Sequence, residues 1–315
     1  MRKTMKRNRT VFSLITGLLL LAMATTVRAQ QDPMYSQYMM NGMVLNPAYA
    51  GTHGVTSITA LTRLQWRGVS GAPVTHTLSA HTPIGQNVSV GANFVHDRIG
   101  SVTRNGFTGV YAYSVPVAGV GTLSMGLQAG LMTYNTDLLS AYHDNDPLNN
   151  SPETQMKPDF GTGLYFYNDK LFLGLSAPSL FRAGFAYNRD SEGPTEFVEL
   201  ENHLFGYGGY LFSLNETWKM HPTVLVKYVK DAPLQADING SFIYNDFLWM
   251  GLSYRTLDGF TVLGQLVLHK QDLRIGAAYD FPHTELGAGQ FGTFEIMLNY
   301  RFSFDKTATI TPRYF

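Results

Sequence analysis

The chain has 315 residues, of which 15% are charged and 13% aromatic, with 31 Gly, 18 Tyr, 20 Phe and no Cys. Soluble proteins average about 25% charged residues and nucleic-acid binders carry a basic surplus, so this balance argues against a nucleic-acid partner, a coiled coil and a disordered chain. The formal net charge is zero, yet six of the 23 basic residues and none of the 23 acidic ones lie in residues 1–29, so the remainder holds six more acidic than basic groups.

In chain order, the first segment reads as an export signal. Arg2, Lys3, Lys6, Arg7 and Arg9 precede a mostly apolar stretch from Val11 to Ala24, and Val27-Arg28-Ala29 places small residues at −3 and −1. This pattern predicts a signal peptide over 1–29, cut before Gln30. The apolar stretch is fourteen residues long, too short for a membrane helix, which needs about 17–25. Absence of cysteine excludes disulfides, a thiolate nucleophile and Cys-bound metal.

Residues 30–54 open Gln30-Gln31-Asp32-Pro33-Met34-Tyr35, are rich in Met, Tyr and Asn, and are interrupted by Pro33 and Pro47. They do not alternate, and are expected to form a periplasmic or plug-like segment ahead of the strands. Met-rich surface adapts to either role.

From there the chain alternates with period two. Leu123, Met125, Leu127, Ala129 and Leu131 interleave with Ser124, Gly126, Gln128 and Gly130; Phe294, Ile296, Leu298, Tyr300 and Phe302 interleave with Glu295, Asn299 and Arg301, with Met297 the exception. Alternate strand side chains point to opposite faces, so each segment has one apolar and one small or polar face. Fourteen strands are expected, at 56–66, 73–81, 87–97, 105–115, 122–134, 159–167, 170–177, 202–213, 218–228, 234–244, 247–255, 260–269, 273–280 and 293–304. Connections after even-numbered strands are short, as at Tyr244-Asn245-Asp246-Phe247 and Asn168-Asp169, and the two longest, 135–158 and 178–201, follow odd-numbered ones. An even strand count with tight turns on one side and longer loops on the other is the pattern of a transmembrane antiparallel outer-membrane β-barrel. A soluble sandwich would put Lys and Glu on its second face; here that face is mostly Gly, Ser, Thr, Asn and Gln. The expected organisation is all-β: 1–29 signal peptide, 30–54 N-terminal segment, 55–304 barrel and 305–315 a periplasmic tail, with both termini on the periplasmic side. Arg at Leu127 or Leu298 should face lipid and destabilise, whereas Arg at Gln128 or Asn299 should be tolerated much better. Deleting 30–54 should leave a folded barrel.

Chemistry is sparse. His143-Asp144-Asn145-Asp146 could hold a hard cation but lacks the Gly and terminal Glu of a calcium loop. His96-Asp97, at the outer end of the third strand, could suggest a hydrolase dyad, but catalysis needs a base held against a nucleophile or water by a third group, which spacing alone does not show. Gly206-Tyr207-Gly208-Gly209 falls within a strand and is no phosphate loop. No catalytic residue, metal or cofactor is expected. Arg63, Arg274, Glu295 and Arg301 all fall on the inward face, and closure makes the first and last strands neighbours, so these four are a candidate lumen network across the seam.

A resemblance is carried by the start, Gln31-Asp32-Pro33, Tyr35-Ser36-Gln37-Tyr38 and Asn46-Pro47-Ala48-Tyr49-Ala50-Gly51. Further on come Arg63, Gln65-Trp66, Gly71-Ala72-Pro73, Thr75, Asp97 with Gly100, Tyr111-Ala112-Tyr113, Gly174-Leu175-Ser176 and Pro312-Arg313-Tyr314-Phe315. These resemble the PorP/SprF family of outer-membrane proteins of the type IX secretion system in Bacteroidetes. One departure is Gly292-Thr293-Phe294-Glu295, where the family often has Gly-Ser-His-Glu. The resemblance implies the cell outer membrane, a role in export or surface attachment of proteins (a gliding adhesin among them), and partners in the periplasmic and outer-membrane machinery, the exported surface protein and outer-membrane lipid. It marks Asp32, Pro33, Asn46, Pro47, Arg63, Gln65, Trp66 and Pro73 as family-motif positions. The alternative on fold alone is a passive channel or uptake porin.

Overall fold

The computed structural model describes residues 34–136, 153–180, 184–188, 195–199, 201–256, 258–268, 272–282 and 291–303. The expected signal peptide, the tail from 305 and the His143–Asp146 group lie outside them. The strands are β1 (Thr56–Leu64), β2 (Val74–Pro83), β3 (Val88–Ile99), β4 (Val102–Val117), β5 (Gly121–Thr136), β6 (Glu153–Tyr167) and β7 (Leu171–Ala177). After β8 (Gly184–Asn188) and β9 (Thr195–Glu199) come β10 (His203–Tyr210), β11 (Phe212–Ser213), β12 (Trp218–Val229), β13 (Gln235–Tyr244), β14 (Leu248–Arg255), β15 (Gly259–Leu268), β16 (Leu273–Pro282) and β17 (Thr293–Phe302).

Each wall strand pairs antiparallel with its neighbours; β1 meets β17, and pairing of β10 with β12 closes the ring. Since β11 continues β10 past Leu211, the wall has fourteen strands. Closure leaves the ring without an edge strand, as lipid demands, and the outward part of β6 before Thr162 pairs with β5 alone. Alternation sets the faces. Leu127, Leu131, Leu175 and Ile238 point outward and are half exposed or more, while Ser57, Ser124, Asn239 and Asn299 point inward and are buried.

Local chemistry makes the tight turns. Asn245 and Asp246 both take positive φ (49° and 55°), the conformation a two-residue hairpin loop demands. The Asn168 carboxamide oxygen accepts from Lys170 N and Leu171 N at 2.9 and 2.8 Å. These turns share an end with the start of β1 and the finish of β17. By the barrel rule that end is periplasmic and the long-loop end faces outward.

The structure adds three things to the expected strands. The β4, β5 and β6 strands run to 16, 16 and 15 residues, extending well past the alternating core toward the long-loop end. The connection after β7 carries its own two-stranded hairpin, β8–β9. Residues 34–54 are inside the barrel.

That third feature sets the core. Three short 3-10 turns, Tyr38–Met40, Gly42–Val44 and Pro47–Tyr49, carry buried Tyr38, Met39, Met40, Met43 and Tyr49. They pack against inward Leu61, Tyr165, Phe172, Tyr207, Trp249 and Met297. In a membrane barrel the outer face meets lipid, so the protein's own hydrophobic core lies in the lumen.

Candidate functional site

Residues 34–54 form a strap that spans the lumen. The Tyr35 hydroxyl meets Thr77 Oγ1 on β2 at 3.0 Å, and three residues later the Tyr38 hydroxyl meets Thr223 Oγ1 on β12 at 3.2 Å. In the ring of fourteen those two strands stand opposite one another. Burial pushes both phenols well above their ordinary range, so each hydroxyl stays protonated. Further along, Asn46 caps the last turn by accepting from Ala48 N at 2.9 Å, Pro47 takes the first helical position, and Asn46 Nδ2 donates to Leu164 O on β6 at 2.9 Å.

Inward glycines admit the strap. A Cβ on Gly126 of β5 would meet the backbone of Pro47 and Ala48, and one on Gly163 of β6 would meet Asn46 Oδ1. Gly126 was legible only as a small residue on a polar face.

The strap's outward end is latched by charge. Arg63 of β1 donates to Asp280 of β16 at 2.7 Å and to Glu295 of β17 at 3.1 Å. The Glu295 carboxylate accepts from the backbone N–H of Ser36 at 3.0 Å and of Gln37 at 2.9 Å. Ser36 Oγ donates to Asp280 at 2.8 Å and accepts from Arg63 Nη1 at 2.8 Å. Beside it, Arg255 of β14 binds Asp237 of β13 through Nε at 2.8 Å and reaches the Tyr35 carbonyl at 3.3 Å. Charge-assisted hydrogen bonds of this kind are the strong ones, and here Glu295 and Arg255 hold the segment by its backbone while Arg63 and Asp280 hold it by the Ser36 hydroxyl.

The opposite end is held differently. His53 Nε2 accepts from Arg301 Nη2 of β17 at 2.7 Å and contacts the Tyr49 hydroxyl at 3.0 Å, while Gly51 N donates to His81 Nδ1 of β2 at 3.1 Å. Asn299 Nδ2 lies 2.8 Å from both Ser57 Oγ and Thr59 Oγ1 on β1.

The four residues of the candidate network therefore do not form one cluster. Arg63 and Glu295 meet at the outward end. Arg301, six residues beyond Glu295 on β17, is about 20 Å away at 3.4 Å per residue and binds the strap's other end. Arg274 is buried on the inward face opposite Asn299. Alternation gives a side chain's face and leaves its height free, which is why one seam became two sites. Sequence reasoning missed Asp280, Asp237, Arg255 and Ser36; the first three sit at inward positions of alternating strands, so parity could have found them.

Of the family-motif positions, Asp32 and Pro33 lie outside the described residues. Gln65 N donates to Pro73 O at 2.9 Å, and Trp66 takes φ 48° with its N–H on Thr293 Oγ1 at 3.2 Å, so both shape the first outward loop. His96 and Asp97 point to opposite faces of the wall. His96 meets Asn105 outside, and Asp97 accepts from Thr75 inside at 2.6 Å, so they make no dyad.

The strap also reverses one expectation. Tyr35 and Ser36 meet residues near the long-loop end, and His53 meets residues near the short-turn end. The strand termini share the periplasmic side, but Met34 lies toward the outward mouth, close to Lys227 near the end of β12.

Among solved structures, the chain is similar to the CymD monoaromatic hydrocarbon channel, with TM-score 0.52 and 12% identity over 86% of this chain and 94% of that one. It is also similar to a Pseudomonas aeruginosa FadL homologue (TM-score 0.49, 13% identity, 89% and 96%) and to the Pseudomonas putida toluene transporter TodX (0.47, 12%, 89% and 96%). At such identities the likeness is one of fold, that of outer-membrane barrels. No curated protein matches the chain in sequence. The family model for the type IX secretion system membrane protein PorP/SprF matches residues 27–300, over the same motifs and wall just described, and the chain belongs to that family of the outer membrane.

Proposed function

We propose that this chain is a closed, non-catalytic outer-membrane component of the type IX secretion system that supports export or surface attachment of a protein, a gliding adhesin being the cargo class that the family resemblance suggests. Its partners in this reading are periplasmic and outer-membrane parts of the machinery and the exported surface protein. The observation that carries it is the strap: Tyr35 and Tyr38 reach opposite walls, and the latch fixes the segment at the outward mouth. A barrel filled by its own chain suits anchoring and docking better than conduction. The channel and transporter roles of the structural neighbours are those proteins' own.

The test is the surface proteome of a strain lacking the gene, complemented by the intact gene. The expected result is loss of one or more proteins from the cell surface with unchanged uptake of small solutes. A normal surface proteome with slowed uptake of a nutrient would instead promote the passive channel.

A further inference from the structure

The outer surface carries a polar ladder that the secretion reading does not use. Thr62 of β1 stands opposite His76 of β2, His76 opposite His96 of β3, His96 opposite Asn105 of β4, and Asn105 opposite Thr133 of β5. All five point away from the lumen, because their chain neighbours Arg63, Thr75, Thr77 and Asp97 are buried inside. The outward positions nearest the long-loop end of β12, β14, β15, β16 and β17 carry Tyr228, Tyr254, Phe260, Phe281 and Phe294, the aromatic belt expected at a membrane interface. On β1 to β5 those positions carry Leu64, Val74, Arg98, Thr103 and Asn135, none of them aromatic, and the ladder lies one outward position further in.

The two imidazoles are held in place from both sides. Thr62 Oγ1 meets His76 Nδ1 at 3.0 Å, and His96 Nδ1 meets Asn105 Oδ1 at 2.6 Å. Between them the rings stack, with centroids 6.1 Å apart and planes 21° from parallel. Both hydrogen bonds use Nδ1, which leaves each Nε2 for a ligand. Exposed Arg98 follows two residues after His96 on the same face, and the outward positions of β1 to β5 include no Asp or Glu. Toward the membrane middle the same strands present Leu78, Phe94 and Phe107, all substantially exposed.

We propose that this ladder is a headgroup site for a phosphate-bearing lipid of the outer leaflet. A phosphate with its own exchangeable proton accepts from a protonated imidazole Nε2 and donates to a neutral one, and Arg98 supplies a fixed cation. Leu78, Phe94 and Phe107 then lie along the acyl chains. That apolar path directs the choice to a lipid rather than to free phosphate, and the missing aromatic belt marks where the headgroup sits.

The test uses the purified full-length barrel in neutral detergent, with lipid retention read by native mass spectrometry. Its probes are a bis-phosphorylated lipid A, the same lipid dephosphorylated, and inorganic phosphate. The intact protein is expected to hold the phosphorylated lipid at least tenfold more tightly than the dephosphorylated one, with inorganic phosphate failing to compete at equal concentration. The triple variant His76→Leu, His96→Leu, Arg98→Leu should lose that preference while staying a heat-modifiable barrel, because Leu suits a lipid-facing position. Equal retention of both lipids by the intact protein overturns the site, and this comparison needs no variant. Competition by inorganic phosphate alone overturns the lipid assignment. Unchanged lipid preference in the triple variant, or loss of a co-purifying protein instead, overturns it as well. None of these outcomes bears on the secretion reading.

Discussion

Arg63 is the residue on which the outward latch turns, since it bridges Asp280 and Glu295 while donating to the strap's Ser36 hydroxyl oxygen. Removing one partner of a buried ion pair costs about 3–5 kcal/mol, because the other charge stays buried without compensation. Arg63→Met is therefore expected to destabilise the barrel by about that amount. It faces two carboxylates toward each other, so adding Glu295→Gln should recover part of the loss. Unfolding midpoints in lipid vesicles check both variants. Arg63 and Glu295 were legible as inward charges because period two assigns a face at once. The partnership with Ser36 was not, because strap residues do not alternate and nothing in their spacing gives a depth in the lumen.

At the scale of elements, the wall was almost wholly legible and the strap hardly at all. Fourteen strands with the right faces follow from alternation and turn residues such as Asn245-Asp246. The long outward parts of β4 to β6 were shortened in the reading because apolar alternation fades past Phe107 and Leu131, where polar outward side chains begin. The strap changes two expectations. Arg at Leu127 should still cost about 2–4 kcal/mol at the lipid midplane. Arg at Asn299 should now be costly too, since Asn299 is packed between Ser57, Thr59 and Arg301 rather than facing water. Refolding yields of the two variants decide between a packed and a hydrated lumen. Deleting residues 34–54 should likewise give a poorly folding barrel, because it removes much of the lumenal core. A milder probe is Gly126→Ala, which drives a methyl into the Pro47–Ala48 backbone and should destabilise by about 1–3 kcal/mol. Gly109→Ala, where an added Cβ has only ordinary contact, should be near neutral in the same unfolding measurement.

The direction of the strap gives a second test at this scale. The chain has no cysteine, so single substitutions label cleanly. Met34→Cys and Val69→Cys should react with a membrane-impermeant maleimide added to intact cells, while Glu216→Cys at a short turn should react only after the outer membrane is opened. Labelling of Met34→Cys only after opening would place the strap the other way up.

For the whole molecule, the contrast is between a conduit and a filled barrel. The likeness to outer-membrane channels is a likeness of wall, and the wall is the part that alternation alone dictates. Inside that wall this chain carries a non-alternating segment, held at one end by Arg63, Asp280 and Glu295 and at the other by Arg301 and His53. The most direct measurement of that claim is the conductance of the purified protein in a planar lipid bilayer. The intact barrel should give no steady single-channel current, and Arg63→Met should give intermittent openings as the latch loosens. A steady, ohmic current through the intact protein would contradict the account and make the barrel a pore.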